Sequence, residues 1–228
     1  MNHTQKILSE LDNIFISNNK YNLFHVVPKN TVKEKLFNTQ KIDMFYINHQ
    51  NKLLWCIYYI LKLDTENFET NHFKIEQDFK IKNIEMINKN PDLLKTIKLK
   101  HHDIVHDLMH SKSIDILSLQ ALCVYHDITC MYVENKKYFI LGNNEPKHII
   151  INHDRKIGIY LDANPIKINY YQNNYYHAKN IKKPMKSISS YSINDIHDIC
   201  IKINIPIRTN EGKNINKKNL YEEILRNL

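Results

Sequence analysis

Apolar positions recur at three- and four-residue spacing through the first half of the chain, then give way to short β-rich runs. Ile7, Leu8, Leu11, Ile14 and Phe15 predict an amphipathic helix over residues 3–16. Residues 21–43 mix Pro28, several Asn and short apolar pairs, which predicts irregular chain with a short helix over 32–37. The run Asn51-Lys52-Leu53-Leu54-Trp55-Cys56-Ile57-Tyr58-Tyr59-Ile60-Leu61 is almost wholly apolar and predicts a helix over about 51–63. Phe73, Ile75, Phe79, Ile81, Ile84, Met86 and Ile87 predict one or two helices before the turn at Asn90-Pro91-Asp92. Helical spacing returns from Leu93 to Met109 and again over about 114–126.

Four β-rich runs follow, over 129–133, 137–141, 148–151 and 157–161, separated by polar turns such as Glu134-Asn135-Lys136 and Asn152-His153-Asp154-Arg155. They predict an antiparallel meander. Helices first and strands second predict an α+β fold with the Cys56 helix packed on a small sheet. Beyond the tyrosine-rich segment 170–176, Ile193, Ile196, Ile199, Cys200 and Ile203 share one helix face, with Ser192 and Asp195 placed as N-cap and N3. After a loop holding Pro206 and Gly212, Asn216 is placed to cap a second helix presenting Leu220, Tyr221, Ile224 and Leu225. The division expected is a main domain over 1–180 and a small helical module over 186–228.

Composition narrows the function classes. With 228 residues, 43% of them hydrophobic, the chain can bury one substantial core, and only three glycines leave no glycine-rich phosphate loop. Cys56, Cys123, Cys130 and Cys200 lie in apolar surroundings without metal-ligand spacing and read as reduced thiols. The opening residues lack a basic stretch followed by an apolar run, and no segment reaches a membrane-spanning length, so the expected setting is cytosolic or nuclear. The formal charge of +8 is uneven: residues 166–228 carry 11 Lys or Arg against 5 Asp or Glu, while the remainder, 21 against 19, is nearly neutral. A basic C-terminal quarter is the footprint expected of a polyanion contact.

The candidate chemistry centres on Cys56. A thiol near a helix N-terminus with a side-chain amide just before it is one way to build a nucleophile and an oxyanion site together. Gln50 or Asn51 would supply the amide. The imidazole would come from a strand facing the helix, either His148 or His153, and Asp162 or Asn164 would orient it. The competing reading makes Cys56 a small buried apolar side chain. His102, His106 and His110 share a helix face at four-residue spacing, read as solvated and not as a metal site.

The order of a Trp-Cys helix, further helices, the helix around Ser118-Leu119-Gln120-Ala121-Leu122 and a later strand-borne histidine resembles papain-like cysteine peptidases, most similar in layout to ovarian-tumour-type deubiquitinases. The resemblance covers residues 45–165. Asp-Gly is missing before the cysteine, and no aromatic directly follows a strand-borne histidine. The Leu-Leu-Trp-Cys-Ile-Tyr motif and residues 183–191 also resemble uncharacterised proteins of large nucleocytoplasmic DNA viruses. The implied activity is hydrolysis of a protein or ubiquitin-like substrate by Cys56 without a cofactor, in a host cell or virion.

Residues 186–228 resemble a SAP-type helix-extended-helix module in their apolar spacing from Tyr191 to Ile203, in Gly212 and in Lys217-Lys218 ahead of Leu220-Tyr221. That resemblance implies DNA phosphate contacts from Lys213, Lys217, Lys218 and Arg226. It also frames the alternative function: a non-enzymatic DNA-associated or virion protein on a peptidase-like scaffold.

Overall fold

Leu53, Leu54, Trp55, Cys56, Ile57 and Ile60 are all buried in one nine-residue helix, α1 (Lys52–Ile60), which therefore lies inside the molecule and not along its surface. The structure, a computed structural model, describes residues 44–61, 71–161 and 163–228. The helices predicted over 3–16 and 32–37 lie outside the described residues.

Around α1 the chain lays down β1 (Met44–Tyr46), then α2 (His72–Lys89), α3 (Asp92–Thr96), α4 (His101–His110) and α5 (Ile116–Tyr125). The period from Leu93 to Met109 is broken into α3 and α4 because Lys98 takes a left-handed φ of 56°, letting the Leu99 N–H return to the Leu94 carbonyl. Strands β2 (Cys130–Glu134), β3 (Lys137–Leu141), β4 (His148–His153) and β5 (Lys156–Tyr160) follow, then α6 (Pro165–Asn174), β6 (Tyr176–His177), α7 (Ile193–Lys202) and α8 (Lys217–Asn227).

The fold is α+β, with a six-stranded mixed sheet in the order β1-β5-β4-β2-β3-β6. The antiparallel meander is corrected here. The β2–β3 and β4–β5 hairpins form, but the chain after β3 crosses back past β2, so that β4 pairs parallel with the other edge of β2, and β6 pairs parallel with β3. Gly142 makes the crossover possible: its φ is +118°, and a Cβ there would lie 2.3 Å from the Ile128 carbonyl oxygen. β1 pairs antiparallel with β5 on the far edge.

Alternation along the strands splits the core in two. Cys130, Tyr132, Phe139, Leu141, Ile150 and Ile159 face the helical layer, whereas Met131, Val133, Tyr138 and Ile149 face Ile168, Tyr171 and Tyr175 on the opposite side. Each fully buried Leu or Ile in these layers contributes about 1.5–3 kcal/mol over the exposed state. The second cover is α6, where the tyrosine-rich sequence predicts an edge strand or packed connector; Asn164 caps it and Pro165 occupies its first turn.

The described residues belong to one compact unit. Within it, α7 and α8 enclose a core of their own: Met185, Ile196, Cys200, Ile203, Ile205, Leu220 and Ile224. Ser192 and Asp195 form the expected capping box, and the Asn216 side chain accepts the Asn219 N–H. The hairpin is tied to the sheet edge by the Tyr176 and Tyr191 hydroxyls, 3.2 Å apart, and by Lys137 and Asn135 donating to the Leu228 carbonyl. No helix among the described residues is long and apolar enough to cross a membrane.

Candidate functional site

Asn51 sits at the N-cap of α1, but its side chain does not cap. Its Oδ1 accepts the Ile114 N–H at 3.1 Å and its Nδ2 donates to Glu76 Oε1 at 3.4 Å. Trp55 Nε1 donates to the other Glu76 oxygen at 2.9 Å, and Lys80, 3.5 Å from the same carboxylate, donates to the Ser111 carbonyl. The amide expected to face an oxyanion is therefore spent joining α1, α2 and the α4–α5 loop. Gln50 is exposed to solvent.

Cys56 is the fifth residue of α1, past the first turn, and is 0% exposed. The first-turn amides that lower a thiol pKa are out of its reach. Burial, together with the neighbouring Cys130 thiol, instead pushes its pKa well up, so it stays protonated at neutral pH. Cys123 on α5 hydrogen-bonds Cys130 on β2 and registers the charge of Cys56, so three thiols meet where α1, α5 and the sheet touch. Among the described residues, no group of three or more His, Cys, Asp or Glu is placed to hold a metal ion.

The other candidates have separate posts. His148 opens β4 in register with Cys130, and its Nδ1 donates to the Leu161 carbonyl. It lines a cleft of about 320 Å³ with Asp127, Thr129, Asn144, Glu145 and Lys147, which Cys56 does not reach. His153 is the exposed last residue of β4, 3.4 Å from Asp154. Asn164 accepts the Lys167 N–H as the α6 cap, and Asp162 lies outside the described residues. The proposed nucleophile is enclosed, and the side chains of Asn51 and Asn164 are engaged in holding the fold together.

The hairpin presents a different surface. Lys213 lies on the α7–α8 loop beside Gly212, whose φ is +79° and which has open space where a Cβ would be. Lys217 and Lys218 begin α8, where the amides of the first turn lack intrahelical partners. Lys213 is 3.0 Å from Glu211, Lys218 4.0 Å from Glu222 and Arg226 3.1 Å from Glu223, all at the surface. Such surface pairs are worth ~0–1 kcal/mol each, and each carboxylate competes with an outside anion for its cation. Arg226 stands nine residues beyond Lys217, about 13 Å along the axis, and belongs to the other end of the helix.

Sequence reasoning missed two features here. His49 stacks on Trp55, with ring centroids 3.8 Å apart, and Glu76 bridges Trp55 to Asn51. The four-residue Glu76–Lys80 spacing is readable in the chain, but its attachment to Trp55, 21 positions earlier, is a tertiary fact. His102, His106 and His110 are exposed along α4 as expected, with successive ring centroids 6.0 and 4.7 Å apart. No protein-family profile, curated protein or solved structure matches this chain.

Proposed function

We propose that this chain is a non-enzymatic, DNA-associated protein that holds a duplex through its basic C-terminal hairpin, residues 186–228, with the α+β body as a rigid support. One observation carries the reading. The hairpin buries its apolar face in its own core and turns Lys213 and Lys218 outward, with Lys217 half-exposed, around a glycine loop and the start of α8. Open backbone amides and cations at one helix end suit phosphate oxygens. The contacts are to the backbone and carry no base information.

The enclosed Cys56 supports this reading over hydrolysis, because a nucleophile must meet both its base and its substrate. The test is fluorescence anisotropy of the full chain with a labelled duplex of about 30 base pairs over a salt series. Affinity is expected to fall steeply with salt, and Lys213→Glu with Lys217→Glu and Lys218→Glu should weaken it at least tenfold. Binding that is absent, or indifferent to salt and to these substitutions, removes the proposal.

A further inference from the structure

The C-terminal positive charge does not sit mainly on the hairpin. The hairpin, residues 186–228, carries seven Lys or Arg against five Asp or Glu, whereas residues 163–194 form a 32-residue stretch with five lysines and no acidic residue at all. The exposed cations of that stretch cluster in the connector between β6 and the hairpin: Lys179, Lys182, Lys183 and Lys186. Unlike Lys213, Lys218 and Arg226, none of these four has a carboxylate of the described residues within ion-pair distance.

The connector is also held in place. The Ala178 N–H donates to the Tyr138 carbonyl at 2.9 Å, fixing its start to the sheet, and Met185 is buried in the hairpin core at its end. Between them, Asn180 Oδ1 accepts the Lys183 N–H at 3.0 Å, and Pro184 stiffens the exit. Tyr191 and Tyr221 clamp both sides of Lys186, one hydroxyl accepting its N–H at 3.1 Å and the other donating to its carbonyl at 2.6 Å. A fixed backbone loses less freedom on binding than a loose tail. Lys202, at the end of α7, joins the patch from the hairpin side, since it and Lys179 both act on the ring of His177.

Resting on the reading of the hairpin as a DNA contact, we infer that the connector lysines Lys179, Lys182, Lys183 and Lys186, continued by Lys202, form the main phosphate-binding surface of this protein. The hairpin lysines are the secondary contact. Fully extended, the seven steps from Lys179 to Lys186 would span at most about 25 Å; turned at Asn180, the connector reaches less than that and meets neighbouring phosphates as a compact patch. Lysine suits such a surface because it offers a point charge without base readout.

Anisotropy of the full chain with the same duplex separates the two contributions. Replacing all four connector lysines by Gln should reduce the slope of log affinity against log salt by about 3.6, at ~0.9 for each phosphate no longer neutralised. Lys213→Gln with Lys217→Gln and Lys218→Gln should reduce it by about 1, because two of those cations are drawn back to their own carboxylates in the free chain. The thermal midpoint of each variant, read by circular dichroism, should stay at the wild-type value, since the changed side chains are at the surface. A connector variant with the wild-type slope overturns this inference, and if the hairpin variant is then weakened, the hairpin reading stands alone. Loss of binding to vesicles of one-third phosphatidylserine, with duplex binding intact, also overturns it and assigns the patch to membranes. No duplex binding by the wild-type chain defeats both readings together.

Discussion

Cys56 owes its character to its surroundings and not to its sequence neighbours. A thiol in the second turn of a buried helix, faced by Cys130 and enclosed by Leu and Ile side chains, has neither the charge nor the access a nucleophile needs. All four cysteines are buried, so at mildly alkaline pH a thiol reagent such as DTNB should titrate none of them quickly in the native chain, and all four after denaturation. A fast native thiol lost in Cys56→Ala would restore the peptidase case. Asn51 is the costlier residue to lose. Its removal strands the buried Ile114 N–H and takes one donor from Glu76, which keeps Trp55 and Lys80, so Asn51→Ala should lower stability by about 1–3 kcal/mol, as one unsatisfied buried group would. Urea unfolding followed by the fluorescence of Trp55, the only indole in the chain, measures this directly. A loss under about 1 kcal/mol would show that the amide is dispensable.

At the level of elements, helix caps and apolar periods were readable because they are local. Ser192 with Asp195 and Asn216 mark their helices by chemistry confined to four residues, and the four main strands fall within a few residues of their predicted places. Strand partnership was not readable, since the alternation of His148 to His153 is the same beside β2 as beside β3, and only the crossover at Gly142 decides. β1 and β6, three and two residues long, are too short to carry a period of their own. The site was less legible still. A cysteine near an amide reads alike whether that amide faces the sulfur or, as Asn51 does, turns toward Glu76 and Ile114. The packing of α2 on α5 adds a pH response: His126 Nε2 lies 2.7 Å from Asn83 Oδ1, the ring stacks on Phe79, and burial lowers its pKa. A lowered histidine takes up its proton more readily when unfolded, so stability is fullest above the unfolded value of ~6.5 and declines as pH falls through the folded one. His177 is lowered as well, by burial first and then by Lys179 and Lys202, and acts in the same direction. Thermal midpoints should drop between about pH 7 and 5.5, and His126→Gln should flatten the drop; an unchanged slope in that variant would clear His126 of the effect.

Across the whole molecule, the positive charge gathers where the sheet edge meets the hairpin, and His177 lies inside that gathering, stacked on Tyr138 with ring centroids 4.8 Å apart. This position links binding to protonation. In the free chain Lys179 and Lys202 add to burial in holding the imidazole neutral; phosphates seated on those lysines would cancel their repulsion and bring a negative charge near the ring. The bound chain then holds the extra proton at a pH where the free chain does not, and linkage requires affinity to rise as pH falls through the interval between the two values. Titration calorimetry of the duplex near pH 6, in two buffers of different ionisation enthalpy, should register net proton uptake that is absent near pH 8. His177→Gln should lose the largest single share of that uptake while keeping the wild-type affinity near pH 8, because on the proposed reading the phosphate contacts would come from the lysines it leaves behind. Equal uptake in the variant would place the DNA away from the connector, and with it the source of the molecule's charge asymmetry would have to be sought in another contact.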